Sequence, residues 1–408
     1  MKITVIGAGY VGLVTAACLA RDHKVTCIEK DAGKLRQLQW GKVPFHEPQL
    51  TELLCNSNIR FTNAPDITAY YDADLVFVAV GTPASKDGST DLTAFNQAIR
   101  QLTPFQPKVV VIKSTVPVGT CAKVAKALPE SLIISNPEFL RESTAVTDFL
   151  EPDRIVLGAN RPLVTDDAIC QLYAKYPGEH YTVSWESAEL SKYASNAMLA
   201  TRISFANELA NFCSEVGADI SEVTAIIGSD SRIGSQFLKA GCGYGGSCLP
   251  KDIKSLCFQF QQRECYARIL EAVDSVNEEQ GWIIFDEVER LLAGSLTGKR
   301  VTIWGLAFKA GTDDLRDSPG VLLAERLRQE GCEVVTYDPM GLGTDSDAQD
   351  AVSGADALVV MTEAEEFKTP NWGTIKSLMR CQNLVDGRNI YDPKAIRSLG
   401  FTYRGVGR

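Results

Sequence analysis

The chain predicts an α/β protein: two doubly wound domains joined by a central helical region with a long connecting helix. Three observations carry that prediction. Short apolar runs alternate with helical stretches from residue 2 to about residue 160. Long helical periodicity replaces them from Ser187, and the alternation returns at Val301. The expected domains are therefore 1–186, 187–296 and 297–408, which a chain of 408 residues can fill with sizeable cores.

Composition narrows the function classes. The formal charge of −10 and the lack of a Lys/Arg run argue against a nucleic-acid partner, so an anionic ligand would need local basic groups. Twelve cysteines show neither a CxxC pair nor a zinc spacing. No metal site is expected, and most of these thiols read as small buried hydrophobes in a reducing compartment. The first strand leaves no room for a signal peptide, and no apolar run is long enough to span a bilayer. A cytoplasmic protein without membrane contact is expected.

Residues 2–6 read as a buried strand, followed by Gly7-Ala8-Gly9-Tyr10-Val11-Gly12 and a helix through Leu19-Ala20. A second strand, Val25–Ile28, ends in Glu29. This is G-x-G-x-x-G between strand and helix with an acid about 20 residues on, the signature of a Rossmann-like dinucleotide site. The glycines admit a pyrophosphate to backbone N–H groups and a helix N-terminus. Glu29 can accept the ribose hydroxyls and would repel a 2′-phosphate, which favours NAD over NADP; Lys30 and Lys34 weaken that preference slightly.

Strands follow at Leu75–Val80 and Val109–Ile112, with Thr82 and Thr115 just beyond their carboxyl ends. Each threonine either lies beside the cofactor or simply closes a turn. After the strand Leu132–Ile134 comes Asn136-Pro137-Glu138-Phe139-Leu140-Arg141-Glu142. Its two acids could position a water or take a proton, or could form a solvated turn; the residues alone do not decide. The strand Arg154–Leu157 and a helix after Pro162 complete the domain.

In the middle section, a helix from Glu189 to Val216 stops at Gly217, a C′ residue by type. Lys192 and Asn196 share one face, and their neighbours Leu190, Tyr193 and Ala197 suggest that this face is partly buried. A short helix lies near Glu222–Ile227. A second long helix, Ala267–Ala293, would reach about 40 Å, and apolar stripes here suit a homodimer interface. Between them lies Gly241-Cys242-Gly243-Tyr244-Gly245-Gly246-Ser247-Cys248-Leu249-Pro250-Lys251-Asp252. Pro250 marks a helix start, so Cys248 feels the positive end of a dipole beside Lys251, which raises its thiolate fraction. Asp252 lies one turn on. The stretch is either a nucleophile loop or a glycine-rich turn closing on a structural cysteine.

Beyond Arg300 the strands Val301–Gly305, Glu333–Tyr337, Ala357–Val360 and Asn383–Val385 repeat the architecture without the glycine fingerprint. A nucleotide bound there would not use the first domain's phosphate loop. Residues 405–408 read as a loose tail. His23, His46 and His180 lie in no catalytic setting, which points to oxidation through a thiol adduct rather than a histidine-based mechanism.

With those motifs in view the chain resembles the UDP-glucose/GDP-mannose dehydrogenase family over nearly its whole length. The resemblance rests on the 7–12 glycine motif, Lys113-Ser-Thr-Val-Pro-Val-Gly119, Asn136–Glu142, Gly245–Asp252 and Phe308-Lys-Ala-Gly-Thr-Asp-Asp-Leu-Arg316. It implies oxidation of a nucleotide-linked hexose at C6 to the acid, UDP-glucose to UDP-glucuronate, with two NAD per turnover. It implies Cys248 as nucleophile, Lys192 and Asn196 at the oxyanion and sugar, and Asp252 orienting water. Glu142 would be the hydrolytic base, with Thr115 and Glu138 in its water network. For NAD it implies Gly7, Gly9, Tyr10, Val11, Gly12, Glu29, Lys34, Thr82, Thr115, Glu142, Lys251 and Arg316. For the sugar nucleotide it implies Glu138, Phe139, Leu140, Arg141, Lys192, Asn196, Phe237, Leu238, Gly245, Lys309 and Arg388, with Arg232 reaching from a neighbouring subunit. GDP-mannose and UDP-N-acetylmannosamine enzymes share much of this pattern. Leu249 and Cys242 depart from it. A silent sensor of the same fold would have no reason to keep Cys248, Lys192, Asp252 and Glu142 together.

Overall fold

The first strand, β1 (Lys2–Ile6), lies within an eight-stranded sheet with β2 (Lys24–Ile28), β3 (Ile59–Thr62), β4 (Leu75–Val78), β5 (Val109–Ile112), β6 (Leu132–Ser135), β7 (Arg154–Gly158) and β8 (Glu179–Val183). A computed structural model of the chain describes residues 1–64 and 67–408. The chain divides into two units, Met1–Ser195 with Phe258–Glu264, and Asn196–Cys257 with Cys265–Arg408. The first holds this sheet, in the order β3-β2-β1-β4-β5-β6-β7-β8.

The order reverses between β1 and β4, which opens a crevice at the carboxyl ends of those strands. Central strands are apolar throughout because helices cover both faces: Leu75–Val78 and Val109–Ile112 are buried at every residue. The expected all-parallel sheet holds from β1 to β6. Then β7 pairs antiparallel with β6, and β8 follows β7 in parallel, so the last two strands run the other way.

In the second unit, β9 (Arg300–Trp304), β10 (Glu333–Tyr337), β11 (Ala357–Val360), β12 (Asn383–Asp386) and β13 (Thr402–Gly405) form a parallel sheet ordered β10-β9-β11-β12-β13. Two glycines here repeat a device of the first unit. A Cβ on Gly12 would lie 1.9 Å from the Gly7 carbonyl oxygen, and one on Gly320 would lie 2.4 Å from that of Gly305. Gly7 and Gly305 both take left-handed φ, +99° and +93°. In each sheet a glycine pair lets the first strand and the helix that follows it approach closely.

The middle section carries two long helices, of which the second lies wholly within the second unit. Trp185–Val216, 32 residues, begins in the first unit and ends in the second, and Arg268–Leu291 has 24 residues. Among the described residues no helix is long and apolar enough to cross a membrane.

The end of the chain corrects the sequence reading. Residues 402–405 form the edge strand β13, paired with β12, rather than a loose tail. Tyr403 and Val406 are buried, the Tyr403 hydroxyl donates to Asp386 Oδ2 at 3.0 Å, and the Gly407 carbonyl accepts from Ile220 N–H. Truncation after Gly400 should therefore lower the thermal midpoint sharply, since removing one buried aromatic alone costs roughly 3–5 kcal/mol. An unchanged melting curve would show that these residues contribute nothing.

Candidate active site

The crevice at the β1/β4 switch is shaped for a dinucleotide. A Cβ on Gly9 would meet no atom within 4 Å, so the loop faces open space where a phosphate backbone can pass. The Leu13 N–H donates to the Gly9 carbonyl at 2.8 Å, which starts the helix Tyr10–Leu19. Glu29, buried just past β2, accepts from Ala8 N–H (3.2 Å) and Asp31 N–H (2.9 Å). It thus holds the glycine loop while keeping lone pairs free for hydroxyl donors. Asp31 caps the next helix by accepting from Lys34 N–H at 2.7 Å. Thr82 donates to the Thr115 carbonyl at 2.7 Å, joining the loops after β4 and β5 at the crevice. The residues present fit NAD.

Beside this crevice, in the same unit, lies a buried charge cluster. Lys192 Nζ is 3.0 Å from Glu138 Oε1, with both side chains almost fully buried. Burial alone would raise the Glu138 carboxyl, but the charge and hydrogen bond of Lys192, the Leu140 N–H and Lys113 outweigh it and hold it below its ordinary range. Lys113, at the end of β5, donates to Asn136 Oδ1 at 3.1 Å, and burial lowers its ammonium to about 8. Two cations lie over the Phe139 ring, Arg154 at 3.8 Å and Lys192 at 5.6 Å from its centroid. Arg141 makes a two-pronged pair with Asp148.

The cysteine loop belongs to the second unit. Cys248 directly precedes the helix Leu249–Gln261, and its carbonyl accepts from Asp252 N–H at 2.9 Å. The thiol therefore sits at the positive end of that helix, with Ser247 Oγ 3.5 Å from the sulfur. Asp252, only 1% exposed, accepts from Asn196 Nδ2 at 2.6 Å and contacts the Lys251 ammonium. Four glycines of the loop are each pressed on a different neighbour. A Cβ would come within 2.9 Å of the Gly387 carbonyl oxygen at Gly241, 2.8 Å of Asn277 Oδ1 at Gly243, 2.2 Å of the Asp317 carbonyl oxygen at Gly245, and 2.8 Å of the Phe308 ring at Gly246.

Other expected ligand residues of this unit are engaged within it. Arg388 donates to the carbonyls of Met361 (2.8 Å), Phe308 (3.0 Å) and Gly243 (3.4 Å), tying the cysteine loop to the second sheet. Arg316 pairs with Asp314 and the exposed Arg232 with Asp230, each at 2.6 Å. Lys309 Nζ lies 5.6 Å from the centroid of the Phe308 ring, Leu238 is buried, and Phe237 is exposed with φ +60°. Among the described residues no cluster of His, Cys, Asp and Glu could hold a metal.

Comparison with known proteins agrees along the chain. Models of the UDP-glucose/GDP-mannose dehydrogenase family match as its NAD binding domain over residues 1–176, its central domain over 186–279 and its UDP binding domain over 302–393. The chain belongs to this family. A UDP-glucose 6-dehydrogenase of Pseudomonas aeruginosa is 42% identical, across 100% of this chain and 98% of that protein. The structure of a UDP-glucose dehydrogenase from the archaeon Pyrobaculum islandicum matches with a TM-score of 0.90 at 34% identity, covering 100% and 97% of the two chains. A UDP-D-ManNAc dehydrogenase from Pyrococcus horikoshii reaches the same TM-score at 27% identity, covering 100% and 99%. The protein is an NAD-dependent dehydrogenase of the UDP-glucose/GDP-mannose dehydrogenase family.

Sequence reasoning missed the residues that hold this family's loops in shape. Asn207 and Gln280, both fully buried, pair with Gly241 N–H and C=O at 2.8 Å, and Asn277 pairs with Tyr244 N–H and C=O. Glu189 accepts from Gly119 N–H (2.6 Å) and Cys121 N–H (2.7 Å), capping the helix Thr120–Ala127 behind the Thr115 loop. Helical spacing supplied a signal, since Glu189, Lys192 and Asn196 fall on one face and Asn277 and Gln280 are three apart. Nothing local marked the partners.

The buried Lys113 sets a pH dependence. Its ammonium falls from 10.5 to about 8 on folding, so between those values the unfolded chain binds more protons and stability rises with pH. Relative to Lys113→Met, the parent should gain about 3 kcal/mol from pH 8 to 10.5. Parallel stability curves for parent and variant in denaturant melts across that window would show that folding does not lower the lysine's proton affinity.

Proposed function

We propose that the protein oxidises UDP-glucose at C6 to UDP-glucuronate, reducing two NAD per turnover. The observation that carries this reading is Cys248 at the head of its helix, backed by Asp252 and Asn196, in a chain 42% identical end to end to a UDP-glucose 6-dehydrogenase. The relatives named for UDP-glucose at 42% and 34% identity stand above the UDP-D-ManNAc enzyme at 27%, which favours a glucose substrate.

Bound NAD supplies the hydride acceptor for both oxidations. Cys248 adds its sulfur to the C6 aldehyde, giving a thiohemiacetal whose oxidation leaves a thioester. Lys192 stabilises the oxygen anion of the adduct, and Asn196, one turn further along the same helix, holds the sugar or a water. Asp252 orients that water. Glu142 accepts a proton from water as its oxygen bonds to C6; the C6–S bond breaks, the acid leaves and Cys248 regains its proton. Thr115 and Glu138 complete the water network. Tyr10, Val11, Lys34, Thr82, Lys251 and Arg316 are assigned to NAD; Phe139, Leu140, Arg141, Phe237, Leu238, Gly245, Lys309 and Arg388 are assigned to the sugar nucleotide.

A homodimer is part of this proposal. Met198, Phe205, Phe212 and Val216 leave an exposed apolar stripe on the helix Trp185–Val216 at heptad-like spacing, the kind of surface a second copy covers. The exposed Arg232 would then reach the partner's substrate. The segment 187–296 is read as the middle domain that carries this interface.

An NADH-release assay with UDP-glucose, GDP-mannose and UDP-N-acetylmannosamine tests the reaction, with two NADH expected per UDP-glucose consumed. Cys248→Ser should bind both ligands yet lose roughly 10³-fold or more in acid formation, and near-normal turnover would overturn the covalent route. Phe205→Glu with Phe212→Glu should give a monomer by light scattering. A persistent dimer would place the interface elsewhere.

A further inference from the structure

Glu47 lies in Pro44-Phe45-His46-Glu47-Pro48, a segment the reaction scheme above leaves unused, and is only 5% exposed. A carboxylate so buried must be met by donors, and three meet it. The Tyr10 hydroxyl and the Ser143 N–H (2.8 Å) donate to Oε2, and the Ala145 N–H donates to Oε1 at 2.8 Å. The Tyr10 ring also packs against Phe45, with centroids 5.0 Å apart. Burial, then the hydrogen bond and charge of Glu47, then the charge of Glu142, push the Tyr10 hydroxyl up, which keeps it a donor.

The partners define what this carboxylate does. Tyr10 is the first residue of the helix that follows the dinucleotide loop. Ser143 directly follows Glu142, and it holds a left-handed φ of +71° that a residue with a side chain adopts only when its surroundings impose it. Ala145 opens the helix Ala145–Leu150. On the other flank, the Arg141 N–H is held by Asp148 Oδ2 at 2.8 Å. The backbone is thus clamped on both sides of Glu142: by a local acid before it, and after it by one 95 positions away in sequence.

We infer that Glu47 is a positioning residue for thioester hydrolysis: it ties the backbone that carries Glu142 to the dinucleotide loop through Tyr10. This rests on the reading of Glu142 as hydrolytic base. Without Glu47, the Ser143 and Ala145 N–H groups lose their acceptor, the strained turn relaxes, and the base drifts from the water it must deprotonate. The two oxidations, of which only the second passes through the Cys248 adduct, would proceed.

The test compares full-length enzyme with Glu47→Ala, Glu47→Gln and Glu142→Gln, using UDP-glucose and NAD. Glu47→Ala should lower kcat by about 10- to 100-fold, the range expected for a misplaced group, with KM for NAD changed much less. It should release NADH in the first turnover and then accumulate a covalent adduct, seen as added mass on the intact protein, as Glu142→Gln does. Glu47→Gln keeps the side-chain shape but sets an amide N–H against one backbone donor, so an intermediate loss is expected, and it serves if the alanine variant fails to fold. Slow turnover without adduct in both Glu47 variants, beside a Glu142→Gln that accumulates it, overturns the positioning role. Normal turnover in folded Glu47 variants does the same. No adduct in Glu142→Gln overturns the base assignment instead.

Discussion

A carboxylate buried beneath two lysines sets the terms for the first unit. Glu138 is buried, so its charge must be offset from within, by Lys192 at 3.0 Å and the nearby Lys113. Removing one member of such a pair strands the other, at a cost of roughly 3–5 kcal/mol, whereas an apolar pair of equal size would pack as well or better. Stability therefore does not explain why these charges are kept. The pair fixes the start of the Trp185–Val216 helix against the loop that follows β6, and Glu189 fixes the same helix to the loop that follows β5.

That helix breaks the usual rule of burial at several positions. Glu189, Lys192 and Asn196 lie along one face and are buried, while Met198, Phe205 and Phe212 are exposed. An isolated soluble helix would do the reverse. The polar stripe is hydrogen-bonded at each step, to backbone N–H groups, to Glu138 and to Asp252, so no buried charge is left unpaired. The apolar stripe, exposed at Met198, Phe205 and Phe212, is the surface that the homodimer proposed above would cover.

Much of this was legible in the sequence because it depends on local pattern. The glycine loop between β1 and its helix, the buried central strands, and the cysteine before Leu249-Pro250 each announce themselves over a dozen residues. Of the edge strands in the two sheets, β10 was legible, whereas β3, β8 and β13 were not. Glu179–Val183 and Thr402–Gly405 carry mostly exposed or polar residues and need only backbone pairing to form, so no apolar run marks them. The reversal at β7 is a matter of connection rather than composition. In the second sheet the glycine device was hidden because Gly305 and Gly320 stand 15 residues apart, with the Phe308–Arg316 loop between them. Glu47 was invisible for a different reason, since its meaning lies wholly in the distant Tyr10, Ser143 and Ala145.

The crowding of the cysteine loop constrains how such a protein can diverge. Its glycines abut four separate elements: the turn after β12, the Arg268–Leu291 helix, the Asp317 backbone and the Phe308 ring. No single second-site change could make room for side chains at all four, so substitution is barred from these loop positions themselves. Change is easier outside the loop, at positions such as Phe237, which is 42% exposed.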